Sequence, residues 1–393
     1  MRPSLARSHP FRFVFIMSIV SLFADMTYEG ARSVSGPFLA SLGATGLVVG
    51  VVAGFGELAG FGLRYFSGTL ADRTGRYWVA AFTGYVINML SVPALALARG
   101  WPAAAALIVT ERIGRGVRKP VADAMVSYAG SQLGRGWVFG FRQAMDQTGA
   151  TIGPLLIALV LYLHGGFGRA FAILIVPALL SLLALTVAQR QFPTPRDLER
   201  PPERAPVSQQ RAFWIYVAAG SCLAAGFADF ALVSYHLSKS HVLPNHVIPV
   251  LYACAMLVAA VCAPVCGRAY DRWGIGVVAA TFGFAALFAP LVFLGSSWAA
   301  ITGVLLWGLG MGAQDALLPS IIARLSPPER RASALGTFDG VYGIAWFAGS
   351  ATMGALYDKS ILALVIFSLA LQIIVGVPLL FLAASRETAE RPA

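Results

Sequence analysis

Charge is scarce in this sequence. Of 393 residues, 18 are Asp or Glu and 29 are Lys or Arg, 12% in all, about half of what a soluble globular domain carries. With a mean hydropathy of +0.72, that scarcity excludes an ordinary soluble domain. Extended hydrophilic sequence is nearly missing too, since one segment, 190–211, is both long and polar. Cysteine is limited to Cys222, Cys254, Cys262 and Cys266. None stands in the close Cys and His spacing of a zinc site, so all four read as small buried residues inside apolar runs. No G-x-x-x-x-G-K-[ST] loop occurs, which disfavours ATP-driven work within this chain. The net charge of +11 does not point to nucleic acid, because the arginines fall in loops between apolar runs.

What the sequence has in quantity is apolar runs of about 20 residues, the length a helix needs to cross a bilayer with its backbone hydrogen bonds satisfied. Read against Gly, Pro and charge breaks, twelve spans are expected: 11–40, 46–70, 77–98, 103–127, 137–163, 168–189, 211–238, 247–269, 275–294, 298–324, 331–357 and 361–384. The expected fold is therefore an all-α polytopic membrane protein. Two six-helix bundles, 1–189 and 211–393, flank a Pro-rich linker at 190–210. Met1–Pro10 resembles a signal-peptide n-region, but the run after it continues through acidic residues without a cleavage site and reads as an uncleaved first helix. Most loop arginines, including Arg73, Arg76, Arg135, the linker arginines and Arg272, fall on one side of this layout. The opposite side has Arg99, Arg169, Lys239 and Lys359, so both termini and the linker are expected in the cytoplasm, which suits a plasma (inner) membrane.

The halves repeat one another. Phe23-Ala24-Asp25 recurs as Phe227-Ala228-Asp229, Asp72-Arg73-Thr74-Gly75 as Asp271-Arg272-Trp273-Gly274, and Asp123-Ala124 as Asp315-Ala316. Their order and nearly constant offset indicate a duplicated six-helix unit, a recurrent plan of secondary transporters.

Gly68-x-Leu70-Ala71-Asp72-Arg73-x-Gly75-Arg76 resembles the signature between helices two and three of the major facilitator superfamily. Arg112-x-x-x-Gly116 looks like its helix-four motif, with Arg115 and Arg118 where that family usually has uncharged residues. Gly149-x-x-x-Gly153-Pro154 looks like the motif of its antiporters. The resemblance covers essentially the whole chain. It implies two six-helix halves, a cavity lined by spans one, four, seven and ten, and a conformational latch made of Gly68, Asp72, Arg73, Gly75 and Arg76 with Asp123 as acidic partner. It also implies antiport, hence export.

Physically, the loop glycines permit a tight turn. Gly149 and Gly153, one turn apart, let another helix approach closely, and Pro154 frees a carbonyl and tends to kink its helix. Ionisable groups inside spans are costly and are usually paired or face a wet cavity. Asp25, Glu29 and Arg32 share one face of the first span; Glu57 and Arg64 lie in the second. Glu111, Arg112, Arg115, Arg118 and Lys119 crowd the fourth, and Arg142 and Asp146 have the spacing of an intrahelical ion pair. The second half has Asp229, His236, Asp315 and Asp339. The expected proton-coupling and cavity set is Asp25, Glu29, Arg32, Glu111, Arg112, Asp229 and Asp315, since carboxylates beside arginines can exchange protons for substrate. Gln314, Tyr342 and Trp346 are candidates for a substrate surface, with packed aromatics as the alternative. His236, His241 and His246 read as solvated histidines rather than a metal site.

The functional expectation is a secondary transporter exporting a small organic molecule against protons by alternating access, with a single chain sufficient, no cofactor and no nucleic-acid partner. The alternative is a proton-coupled uptake symporter or uniporter for an organic or inorganic anion, because the span-four arginines suit carboxylate or phosphate. A non-transporting sensor or an intramembrane aspartyl enzyme using Asp25 and Asp229 is the remote reading. Neither aspartate has the Gly-x-Gly-Asp setting that such an enzyme uses.

Overall fold

The computed structural model describes residues 4–133, 135–194, 210–324 and 331–389. The linker arginines 196, 200 and 204 lie outside them, as does the Asp72 side chain. The described residues are nearly all helical and include no strand. In order, the helices are α1 (Ser4–Arg32), α2 (Ser35–Ser41), α3 (Gly46–Thr74), α4 (Tyr77–Ala94), α5 (Trp101–Leu133) and α6 (Arg135–Tyr162). They continue as α7 (Gly166–Ile173), α8 (Ile175–Gln191), α9 (Gln210–Gly226), α10 (Phe230–Lys239), α11 (Val247–Trp273) and α12 (Ile275–Ala286). The last are α13 (Phe288–Phe293), α14 (Ser297–Arg324), α15 (Arg331–Lys359), α16 (Ile361–Leu369) and α17 (Val377–Ala389), the final two joined by a π-helical stretch, Ala370–Gly376.

Among the described residues these seventeen pieces fall on the twelve expected spans, five of which are broken or locally rewound. Breaks between α1 and α2, α7 and α8, and α12 and α13 each fall three or four residues before a proline, Pro37, Pro177 and Pro290. Proline has no N–H for the carbonyl four residues back, and its ring crowds that carbonyl, so the ladder opens there. The fourth break, 227–229, ends with Asp229 capping α10 by accepting the Ala231 N–H at 2.9 Å. Among the described residues nine helical segments are long and apolar enough to cross a membrane on composition. In the other three spans, α5, α14 and α15, charge or glycine dilutes the hydropathy.

The chain forms two compact units, Met1–Arg32 with Ala59–Glu203, and Ser33–Leu58 with Arg204–Ala393. In unit 1, α1 packs on α6 and α8, and α4 on α5. Its core includes Phe13, Met17, Val20, Trp78, Tyr85, Met89, Met125 and Leu185. Trp78 donates to the Phe192 carbonyl at 3.0 Å and Ser181 to the Val20 carbonyl at 2.9 Å, so polar groups in this core are bonded as burial requires. In unit 2, α11 packs on α14, α9 on α15, and α2 on α10. Trp307, fully buried, donates to the Ala228 carbonyl exposed by the 227–229 break, at 2.8 Å.

The cysteines differ from expectation. Cys262 is buried, but Cys254 is exposed and Cys222 and Cys266 are half-buried. A span needs burial on its packed side alone, because lipid accepts an apolar thiol as readily as a core does.

Candidate functional site

Several buried charged side chains of unit 1, Glu29, Arg32, Arg112 and Arg118 among them, collect around α1. Tyr28, 2% exposed, is their centre. Arg115 donates to its hydroxyl at 2.8 Å and Arg32 at 3.4 Å. The guanidinium carbons of Arg112 and Arg115 lie 4.7 and 4.2 Å from its ring centroid, within cation–π range. Three guanidiniums thus converge on one tyrosine. Arg112 also meets the Glu111 carboxylate at 3.6 Å. Glu111 in turn receives the Asn88 amide, which also donates to the Glu111 backbone carbonyl at 3.0 Å.

The spacing on α5 makes this arrangement. Arg112, Arg115 and Arg118 are three residues apart and climb one side of the helix. Gly114 and Gly84 let α4 and α5 come together, since a Cβ on Gly84 would stand 2.6 Å from the Arg118 nitrogen. Arg118, 3% exposed, reaches Asp25 at 3.3 Å and lies 4.8 Å from the Tyr85 ring. One turn beyond Asp25 on α1 is Glu29, 7% exposed.

Arg142 of α6 does not pair with Asp146 as its spacing suggests. Its guanidinium turns to Asp123 of α5 and to the Ser21 hydroxyl at 3.4 Å. A carboxylate on a facing helix meets the end of a long side chain more directly than one lying along the same helix. Asp123 is therefore engaged in unit 1 by Arg142. Asp146 stays within electrostatic reach of Asp25 and Arg142.

Gly149 and Gly153 pack on α1. A Cβ at Gly149 would stand 2.9 Å from the Met26 nitrogen, and one at Gly153 equally close to the Met26 carbonyl carbon. The pair therefore seats α6 against the helix that carries Asp25, Tyr28 and Glu29. Pro154 follows inside α6, which continues to Tyr162 as one helix.

The 68–76 segment is less of a loop than its glycines suggest. Helix α3 runs through Gly68 to Thr74, and a single interior glycine costs about 1 kcal/mol, too little to end a well-packed helix. The turn is confined to Gly75 and Arg76. Gly75 has φ +67° and donates to the Ala71 carbonyl at 2.9 Å, a left-handed C-terminal stop. Gly274 shares the positive φ, +71°, and bonds the Tyr270 carbonyl at 2.8 Å, but its ψ of −153° makes it an extended exit from the helix that glycine alone adopts readily. Arg73 and Arg76 are exposed.

In unit 2, Asp229 is buried at the α10 cap and Asp315 is exposed on α14. Asp25 lies mid-helix while Asp229 ends a break, so the sequence echo hides two different local structures. Tyr342 of α15 donates to Gln314 Oε1 at 2.6 Å, and its ring lies 5.7 Å from that of Trp346. His236 is not solvated: it is 4% exposed, with Nδ1 3.1 Å from the Tyr357 hydroxyl and its ring against Phe293. It lies on the packed side of α10. His241 is exposed.

Tyr28, Tyr85 and Asn88 belong to this cluster without carrying a charge, so the pattern of ionisable residues does not mark them. Tyr28 had a signal, three residues after Asp25 and four before Arg32 on one face. Tyr85 and Asn88 sit on α4, which carries no charge, and had none.

A model of the Major Facilitator Superfamily matches residues 14–349 and 217–393. The uncharacterized protein Rv2265 of Mycobacterium tuberculosis is 40% identical over 380 residues, covering 95% of this chain and 92% of that protein. The uncharacterized MFS-type transporter MJ1317 of Methanocaldococcus jannaschii is 28% identical over 186 residues, 47% of this chain and 46% of that protein. Among solved structures, the peptide transporter POT in complex with sulfate superposes with a TM-score of 0.76 at 15% identity, covering 95% of both chains. The nucleoside transporter NupG (D323A mutant) gives 0.74 at 13%, over 95% of this chain and 99% of that one. A bacterial homologue of the human lysosomal transporter Spinster gives 0.74 at 13%, over 100% of both. At such identities these structures speak for the fold.

Proposed function

Because the chain belongs to the Major Facilitator Superfamily, we propose that it is a secondary transporter working by alternating access, that it moves a small anion, and that protons travel with the anion. The observation that carries this reading is the convergence of Arg32, Arg112 and Arg115 on Tyr28. Planar guanidiniums match carboxylate and phosphate oxygens in two-point contacts. The tyrosine hydroxyl and ring gather the three at one point, so an arriving anion meets several guanidiniums together.

The sign of coupling follows from the neighbours. Asp25 holds Arg118, and Glu29 and Glu111 stand on the same helices as the arginines. Protonating any of these carboxylates makes the site more positive and strengthens anion binding. By linkage the anion then strengthens proton binding. Mutual reinforcement is the condition for symport, so an inward proton gradient drives uptake. A second reading, export by antiport, rests on Gly149, Gly153 and Pro154 seating α6 on α1. There a cationic or neutral compound competes with the protons. In both readings one chain suffices and the membrane is the plasma (inner) membrane. The loop arginines support cytoplasmic termini.

Proteoliposomes test the choice. With an inward proton gradient, inorganic phosphate, benzoate and succinate are offered beside the cation tetraphenylphosphonium. Gradient-driven accumulation of an anion is expected. Accumulation of the cation alone, driven by an acidic lumen, overturns symport and leaves export.

A further inference from the structure

We infer that unit 2 holds a binding site of its own, between α14 and α15, for a flat ring that presents hydrogen-bond acceptors. Phe338, Tyr342 and Trp346 recur every four residues on α15 and so stack along one face. All are buried, at 3%, 7% and 3% exposure. Their rings make a tilted series, Phe338 to Tyr342 at 5.3 Å and Tyr342 to Trp346 at 5.7 Å, continued by Phe227 at 6.0 Å from Trp346.

The polar atoms of this face are unsatisfied in one sense. Gln314, 3% exposed, uses Oε1 to accept from Tyr342, while its Nε2 has no hydrogen-bond partner. Trp346 Nε1 is likewise buried without one. Proteins rarely bury donors unmade, because each loses its bond to water and gains nothing. Gln314 and Trp346 both adjoin Tyr342, and the free atom of each is a donor with no accepting capacity. A hydrocarbon would leave these groups unmet, and a donor-bearing cation would oppose them. A carbonyl, ring nitrogen or ring oxygen satisfies them, and the aromatic wall selects a planar carrier for it.

The inference does not depend on proton coupling or direction, so it is tested by binding alone. The probe is tritiated coumarin, planar with two acceptor oxygens and no donor, on the purified full-length chain in detergent. Naphthalene is the competitor of similar shape without acceptors. Saturable coumarin binding that naphthalene does not displace is expected. Trp346→Phe, which keeps the ring and removes the N–H, should weaken it about tenfold. Gln314→Glu, which keeps an acceptor for Tyr342 and removes the donor, should do the same. Each variant is checked for wild-type gel-filtration behaviour. No saturable coumarin binding by the parent, displacement by naphthalene, or unchanged affinity in both variants overturns the site. Loss of anion transport in proteoliposomes leaves this binding untouched, so the two proposals fail separately.

Discussion

The Asp358 carboxylate caps helix α3 at Gly46, 312 residues away in sequence: it accepts the Gly46 N–H at 2.9 Å and the Leu47 N–H at 2.8 Å. A carboxylate on the first N–H groups of a helix satisfies orphan donors and meets the positive end of its dipole. Contacts further along unit 2 make the cap reachable. A Cβ at Gly50 would stand 3.0 Å from Gly354 Cα, and one at Gly54 3.0 Å from Phe347 Cα, so α3 and α15 run backbone to backbone. Tyr235 adds a bond to the Ala44 carbonyl at 3.1 Å.

Asp358→Ala should therefore loosen the start of α3. Loss of an N-cap costs about 1 kcal/mol, so amides 46–49 are expected to exchange with deuterium roughly fivefold faster, measured by mass spectrometry on the purified protein. Unchanged protection there shows that the backbone packing alone holds the helix end.

Tyr28→Phe removes the hydroxyl that receives Arg115 and Arg32 and keeps the ring beneath Arg112 and Arg115. Hydrogen bonds to charged groups contribute about 1.5–3 kcal/mol. Anion transport is expected to fall at least tenfold, read as initial rate in proteoliposomes, with the protein still monodisperse. A wild-type rate detaches Tyr28 from the site.

Asp25→Asn leaves Arg118 buried without the carboxylate 3.3 Å away. Breaking a buried pair from one side costs about 3–5 kcal/mol, whereas removing both partners costs much less. Asp25→Asn is thus expected to lower the thermal midpoint in detergent, and adding Arg118→Gln to recover most of it. Neither should restore proton-driven transport. Full coupling in the double variant removes Asp25 as a proton carrier.

Twelve helical spans were legible because lipid imposes one rule on every segment, about 20 apolar residues with internal backbone bonding. The Asp-Arg-x-Gly pair was legible as well, since a residue at φ near +70° is almost always glycine and both Gly75 and Gly274 adopt it. The proline-led breaks at Pro37, Pro177 and Pro290 were readable in principle. Proline inside α5, α6 and α11 leaves those helices continuous, so the residue type alone did not say which spans open.

The partnerships were not legible. Arg142 had a carboxylate at the right spacing on its own helix and took Asp123 instead. His236 stood near a loop and was buried. Tyr28 carried no charge and became the point on which three arginines meet. By itself the sequence determined membrane spans, helix stops and the superfamily, because those follow from local chemistry repeated along the chain. Only the tertiary structure decided which charges neutralise one another. Long side chains choose partners by which helix faces them at what distance, and that distance is set by glycines whose close approaches no single segment reveals.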